Sequence, residues 1–373
     1  MDETSKFKEA HTQAEAQADT DTLPMIEIVR GGLVESTHVV SLAVSDSSGR
    51  LVVAWGDPEL RTFMRSSAKP FQALPTVVEG AADAVGFTET ELAMMCASHS
   101  GTDRHAELAA GMLAKVGCSA ADLQCGIHTP YDAQTAEALI RRGVPADPLR
   151  NNCSGKHSGM LALAKYLGAP LATYLEKDHP VQQMILKYFS DMTDLPVEKI
   201  VVGRDGCSAP NFAIPLHNAA MAYARLMSPE EANDPTAAAA RRLVAAMTKI
   251  PEVVAGAGRF DTELMSISSG RLLSKGGAEG YQCIGIPAGS LGYEHPAFGL
   301  ALKVLDGDLG HRAGSAAALH ALHQLGAITP DERAALASFD ARELQNLAGL
   351  PTGELRISAS FELERFGDGS SKR

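Results

Sequence analysis

Hydrophobic and polar positions divide the chain into stretches with two different periods. Near its start "MIEIVRGG", "THVVSLAVSD" and "RLVVAWGD" are rich in β-branched residues, and "SDSSG" between the last two supplies turn chemistry. Such runs predict a meander of three strands starting near Met25. The middle of the chain recurs mostly with helical period: "KPFQALPTVVEGAA", "TETELAMMCASHS", "RHAELAAGMLAKVG", "AQTAEALIRRG", "KHSGMLALAKYLG" and the long stretch after Asp234. "KIVVGRDGCSAP" interrupts it as a short buried strand entering a loop. Strand character returns in "GRLLSKGG", "GYQCIGIP" and "AFGLALKVLDGD"; helices are predicted from Arg312 to about Ala348, and "ELRISASFEL" alternates as a closing strand. Strands at both ends with helices between them predict an α/β protein whose late strands complete sheets begun early.

The same patterning sets the domain expectation. Residues 1–23 are polar and lack a large apolar stripe, which predicts a disordered extension. Residues 24–365 form a single unit of two lobes, a sheet lobe from 24–65 and 260–365 and a mainly helical lobe over 66–259, with 366–373 as a flexible tail.

Composition narrows the function classes. The chain has 373 residues, 45% hydrophobic, 5% aromatic and 21% charged, the make-up of a soluble globular protein large enough for two cores. A net charge of -12 argues against nucleic acid and anionic membranes as partners, because both require basic surface. No apolar run approaches the roughly 20 residues needed to cross a bilayer, and no basic segment followed by an apolar core opens the chain. The expectation is a cytoplasmic protein acting on a small molecule. Cysteines at 96, 118, 125, 153, 207 and 283 are scattered, so they predict free thiols, available as metal ligands, instead of a disulfide framework.

Four stretches carry candidate chemistry. In "RSSAKP", Ser66 or Ser67 could be a nucleophile with Lys69 as its base, since a serine hydroxyl needs a neighbour to take its proton; the plain alternative is a turn with a solvated lysine. "CASHSGTDRH" places Ser98 and Ser100 where an apolar helix ends, and "RNNCSGKHSGM" crowds Asn, Cys, Lys, His and Gly ahead of an amphipathic helix. Cys153 and His157 at i, i+4, with Cys207 from "GRDGCSAP", have the chemistry of zinc ligands, and a lysine, which must first lose its proton, is the less obvious choice. "LLSKGGAEG" puts Lys275 before two glycines at a strand edge, where backbone can approach a ligand closely. Ser-x-x-Lys, a second serine and a late Lys-x-Gly follow the order of parts in serine β-lactamases and penicillin-binding proteins, which suits acyl transfer through a serine ester.

Taken together, "RSSAKPFQALP", "CASHSGTDRH", "GIHTPYD", "NNCSGKHSGMLALAKYLG", "DHPVQ", "GRDGCSAPNFAIPL" and "SKGGAEG" resemble the zinc-containing L-asparaginases of the Rhizobium etli type, the asparaginase II family. The resemblance implies a fold of the serine β-lactamase and penicillin-binding-protein kind, an antiparallel sheet flanked by helices plus a mostly helical lobe. It implies a homodimer that hydrolyses L-asparagine to L-aspartate and ammonia through a serine acyl-enzyme. The family's serine and lysine pairs map onto Ser66 with Lys69 and Ser98 with Lys275. Its zinc ligands map onto Cys153, Lys156 and Cys207, which sets Lys156 in place of His157, and Arg65, His157 and Asp205 fall near the substrate. A related serine amidohydrolase, either a glutaminase or a β-lactam-type acylase, is the alternative enzyme. A zinc-stabilised amino-acid-binding protein without catalysis is the alternative outside enzymes.

Overall fold

The computed structural model describes residues 25–228, 234–290, 296–359, 361 and 363–365. The extension expected at 1–23 and the tail expected at 366–373 lie outside them. In chain order the strands are β1 (Ile26–Arg30), β2 (Leu33–His38), β3 (Val40–Asp46), β4 (Leu51–Trp55), β5 (Arg61–Phe63), β6 (Val201–Arg204), β7 (Pro210–Pro215), β8 (Leu273–Gly276), β9 (Tyr281–Ile286), β10 (Phe298–Val304), β11 (Arg342–Gln345), β12 (Pro351–Ile357) and β13 (Glu364–Arg365). They form three sheets, ordered β11-β12-β1-β2, β13-β4-β3-β10-β9-β8 and β5-β7-β6. Each pairing among the described strands is antiparallel. The protein is a mixed α/β structure of antiparallel sheets and helices.

Period-2 alternation decides how the six-stranded sheet is covered. Val40, Leu42, Val44, Ile284, Ile286, Leu300, Leu302 and Val304 point to one face and pack with Ala313, Ala317 and Leu319 of the helix Ala313–Leu325. On the other face Ala43, Tyr281, Cys283 and Ala301 join the larger core beneath the helix Leu216–Met227. That helix sits close because β10 is small there: a Cβ on Gly299 would come 1.9 Å from Ala220 O. The remaining helices extend this larger core and hold the candidate residues against the sheet.

Three features differ from the pattern read in sequence. The initial strands are not one meander: β2 ends at His38 opposite Ile26, and Val40 begins β3 in a second sheet. One residue, Val39, separates the two, and apolar residues of β1 and β3 still bury in the same core. In the "KIVVGRDGCSAP" segment β6 is an exposed edge, and the fully buried strand is β7, which lies between β5 and β6. Between Arg312 and Ala348 the helices stop at Ala335 and Phe339, and β11 follows. A turn over Asn346 and Gly349, with Gly349 at φ 75°, folds β11 back onto β12.

Among the described residues no helix is long and apolar enough to cross a membrane.

Candidate active site

Arg65 opens the site under backbone strain. It lies at φ 52°, a left-handed conformation costly for a residue with a Cβ, directly before Ser66. Asn211 of β7 holds it there by accepting from Arg65 N at 3.1 Å, while Met64 N donates to Phe212 O at 3.0 Å. A 3-10 turn Arg65–Ala68 then runs into the helix Lys69–Val78, whose second residue, Pro70, gives up an amide that the first turn leaves unpaired anyway. The two serines separate by environment. Ser67 is buried and donates to Lys275 O at 2.7 Å, whereas Ser66 is half-buried.

Lys69 is 1% exposed and donates from Nζ to Ser98 Oγ at 2.9 Å, to Asn152 O at 3.2 Å and to Ala97 O. Three acceptors use all three protons of an ammonium. Ser98, accepting from Lys69, keeps its own proton free to donate. The helix Glu89–Met95 delivers Ala97 and Ser98; its start is fixed by a capping box between Thr88 and Glu91. Lys275, on edge strand β8, is 0% exposed and donates to Gly276 O at 2.7 Å, with Asp261 Oδ2 3.7 Å from its Nζ. Burial pulls its amine down to about 8 against the charge of Asp261, and nearby Lys69 adds to the fall. The second glycine after it allows close approach, since a Cβ on Gly277 would meet Met64 O at 2.5 Å.

The structure thus brings Lys69 to Ser98 and sets Lys275 beside Asp261 and against the Ser67 turn. Asp205, in the β6–β7 loop, accepts from Arg65 Nε at 2.8 Å, and Glu279 lies 3.8 Å from the same guanidinium. This ion pair offers a cation and an anion side by side.

A sulfur-rich cluster adjoins it. Cys153, Lys156 and Cys207 are all buried, and Lys156 Nζ lies 3.0 Å from Cys207 Sγ. A hydrogen bond from Cys153 holds Cys207 far below the usual thiol range, while Cys153 is pushed up correspondingly. Burial would lower Lys156, but Cys207, Cys153 and Asp205 together outweigh it and raise the amine. His157 donates or accepts at Nδ1 with Tyr174 OH at 2.6 Å, and its Nε2 is buried without a hydrogen-bond partner. Burial holds that ring below its usual range, opposed by Cys207. Among the described residues no three His, Cys, Asp or Glu side chains converge as a metal site.

Sequence reasoning missed Asp261, Asn211 and Asn152. Asp261 carries only the weak signal of an acidic residue in a helix's first turn, and Asn152 contributes a backbone carbonyl, which no side-chain pattern records.

Comparison with known proteins follows the same segments. A search of curated proteins finds no match. A solved structure, the crystal structure of Mglu in its native form in the presence of 4.3M NaCl, is 14% identical with a TM-score of 0.32, over 72% of this chain and 56% of that one. The chain therefore spans little more than half the length of that protein. Residues 26–357 match the profile of L-asparaginase II. That match runs from β1 to the end of β12 and takes in each candidate residue from Arg65 to Lys275, and the chain belongs to the L-asparaginase II family.

Proposed function

We propose that the protein is an L-asparaginase that hydrolyses L-asparagine to L-aspartate and ammonia through an ester on Ser66. The observation that carries this is the Arg65–Asp205 ion pair beside an accessible Ser66 and two buried lysines. An α-amino acid is a zwitterion, so its carboxylate matches the guanidinium and its ammonium matches Asp205. Anchored there, the short side chain of asparagine carries its amide toward the serine.

In the proposed reaction Ser66 Oγ attacks the amide carbon as its proton passes to an amine. Lys275 suits that step, because an amine at about 8 is partly neutral near physiological pH. Lys69, with its three acceptors, supplies positive charge and orients Ser98, whose free proton can move toward the departing nitrogen. The C–N bond breaks as the departing NH2 group takes that proton and leaves as ammonia, and Ser98 regains a proton from the amines, which pass on the one taken from Ser66. Water then adds to the ester, the amines take and return its proton, and the Ser66–acyl bond breaks to release aspartate. The finer fold assignment, to the serine β-lactamase and penicillin-binding-protein kind, belongs to the same proposal; a Ser-x-x-Lys helix start facing a lysine on an edge strand supports it.

A zinc ion on Cys153, Lys156 and Cys207 is also proposed. The donors fit: two sulfurs and an amine are already gathered, and the orphaned His157 Nε2 lies on the next residue. Zinc would supply a fixed positive charge and Lewis acidity beside the substrate pocket.

Ammonia release from asparagine and glutamine, and the colour change of nitrocefin on ring opening, compared for wild type and Ser66→Ala, test the reading. Asparagine should be the preferred substrate, and the variant should lose turnover by at least about a thousandfold while still binding asparagine and keeping its Tm. Undiminished turnover in Ser66→Ala would sink the serine mechanism. Binding without turnover in the wild type would favour the amino-acid-binding alternative.

A further inference from the structure

Asp261 stands at the second position of the helix Phe260–Ile267 and is buried, 6% exposed. Its Oδ1 accepts from Ser274 Oγ at 2.7 Å and Gln282 Nε2 at 3.0 Å. Its Oδ2 accepts from Gly276 N at 2.8 Å and lies 3.7 Å from Lys275 Nζ. Ser274 and Gly276 are the two neighbours of Lys275 on β8, and Gln282 is on β9 opposite Gly276. One carboxylate therefore grips the strand on both sides of the lysine and faces its amine. A buried carboxylate is costly unless its lone pairs and its charge are both matched. Three donors and one cation match them here, and they hold the acid below its usual range against the pull of burial.

We propose that Asp261 is a positioning residue for the reaction: it fixes the edge strand so that Lys275 presents its amine to the site, and its charge governs how readily that amine exchanges a proton. This inference rests on the reading of Lys275 as part of the proton machinery. The titratable groups around Lys275 come from every neighbouring element: Lys69 on its helix, Arg259 ahead of Phe260, Cys96 after the helix Glu89–Met95, Cys153 before the helix Ser154–Tyr166, and Cys283 on β9. Among these described groups Asp261 is the one carboxylate, so it is the group whose removal leaves the amine among cations and thiols. A side chain that only braced β8 could be replaced by its amide with no change in how the lysine titrates.

Asp261→Asn keeps the shape, removes the charge and replaces one of the two accepting oxygens by an NH2 group. The full-length enzyme, labelled with 13C at lysine Cε and assigned with Lys275→Arg, reports the Lys275 midpoint directly by NMR. The midpoint is expected to fall by about one to two pH units in Asp261→Asn, the acid limb of the pH profile of kcat/KM to move down with it, and kcat to drop about tenfold or more with little change in KM. An unmoved midpoint and limb, whatever happens to kcat, would overturn the inference.

Ser274→Ala gives an independent arm that stands even if the asparagine variant does not fold. It strips one donor from the carboxylate and leaves its charge, so the midpoint should stay or rise; a fall would assign the effect to bracing of the hairpin and overturn the proposal. Lys275→Ala separates this inference from the reading beneath it. An inactive Lys275→Ala with an unmoved Asp261→Asn removes Asp261 alone, whereas full activity in Lys275→Ala removes the role of the lysine itself.

Discussion

At the scale of single residues, the candidate lysines have the same side chain and opposite circumstances. Lys69 spends its three protons on Ala97 O, Ser98 Oγ and Asn152 O, and Lys275 has one carbonyl and a carboxylate at 3.7 Å. Burial with a single distant counter-charge favours the neutral form, which is why Lys275 falls to about 8. The sign of the consequence is fixed: a base must be neutral, so activity is low below that value and rises as pH climbs through it. The logarithm of kcat/KM for asparagine should climb with a slope near one on the acid side of about 8 and then level. A profile flat from neutral to alkaline pH would exclude Lys275 as the base. Sequence could name both lysines, because motif order places them, but not their partners. Equally, "RSS" offers two hydroxyls, and only the fold shows that the Ser67 hydroxyl is buried and engaged with Lys275 O, leaving Ser66 the half-exposed one.

At the scale of elements, the site depends on how closely the helix Ser154–Tyr166 lies on the helix Glu89–Met95. One carries Lys156 and follows Cys153; the other ends just before Ala97 and Ser98. Two glycines set the spacing, and they differ in what they face. A Cβ on Gly155 would come 2.1 Å from Met94 O, a backbone atom that cannot turn aside, while one on Gly159 would meet the Met95 sulfur at 2.7 Å. Alanine is favoured over glycine inside a helix by about 1 kcal/mol, which can offset the clash at Gly159 but not the one at Gly155. Gly155→Ala should destabilise by about 1–3 kcal/mol through overpacking and impair turnover, because the helices that carry the site must separate. Gly159→Ala should be close to neutral, since a flexible thioether can move. Thermal denaturation with parallel ammonia assays checks both; equal effects would mean that the spacing is not set by Gly155. These contacts were invisible in sequence, where "CSGKHSGM" reads only as small residues entering a helix. The helices themselves were legible, because their caps and periods are local. The split of the first strands between two sheets was not, because it depends on which distant strand, β12 or β10, each one meets.

At the scale of the whole molecule, the sulfur cluster joins two parts of the chain that are far apart in sequence. Cys153 and Lys156 belong to the start of a helix in the large core, and Cys207 sits in the loop between β6 and β7, next to the Asp205 that pairs with Arg65. The lowered Cys207 thiol lies 3.0 Å from the raised Lys156 amine, a pairing that favours the thiolate beside the ammonium. A divalent cation taking all three donors must displace the protons of Lys156 and Cys153, so its affinity should fall as pH is lowered. Binding to the folded chain and not to the unfolded one adds stability by mass action, about 2.7 kcal/mol at a hundred times Kd. Purified without added metal, the wild type should therefore carry close to one zinc per chain by elemental analysis. Dialysis against a strong chelator should lower its Tm by several degrees at neutral pH and by less at acidic pH, where zinc binds more weakly and adds less stability. The double variant Cys153→Ala/Cys207→Ala should carry no zinc and show no response to the chelator, whereas equal zinc in both proteins would remove these ligands. If zinc is lost and the Arg65–Asp205 pair still binds asparagine with unchanged affinity, the metal's part is in stability; if binding weakens with it, the β6–β7 loop is the link between metal and substrate.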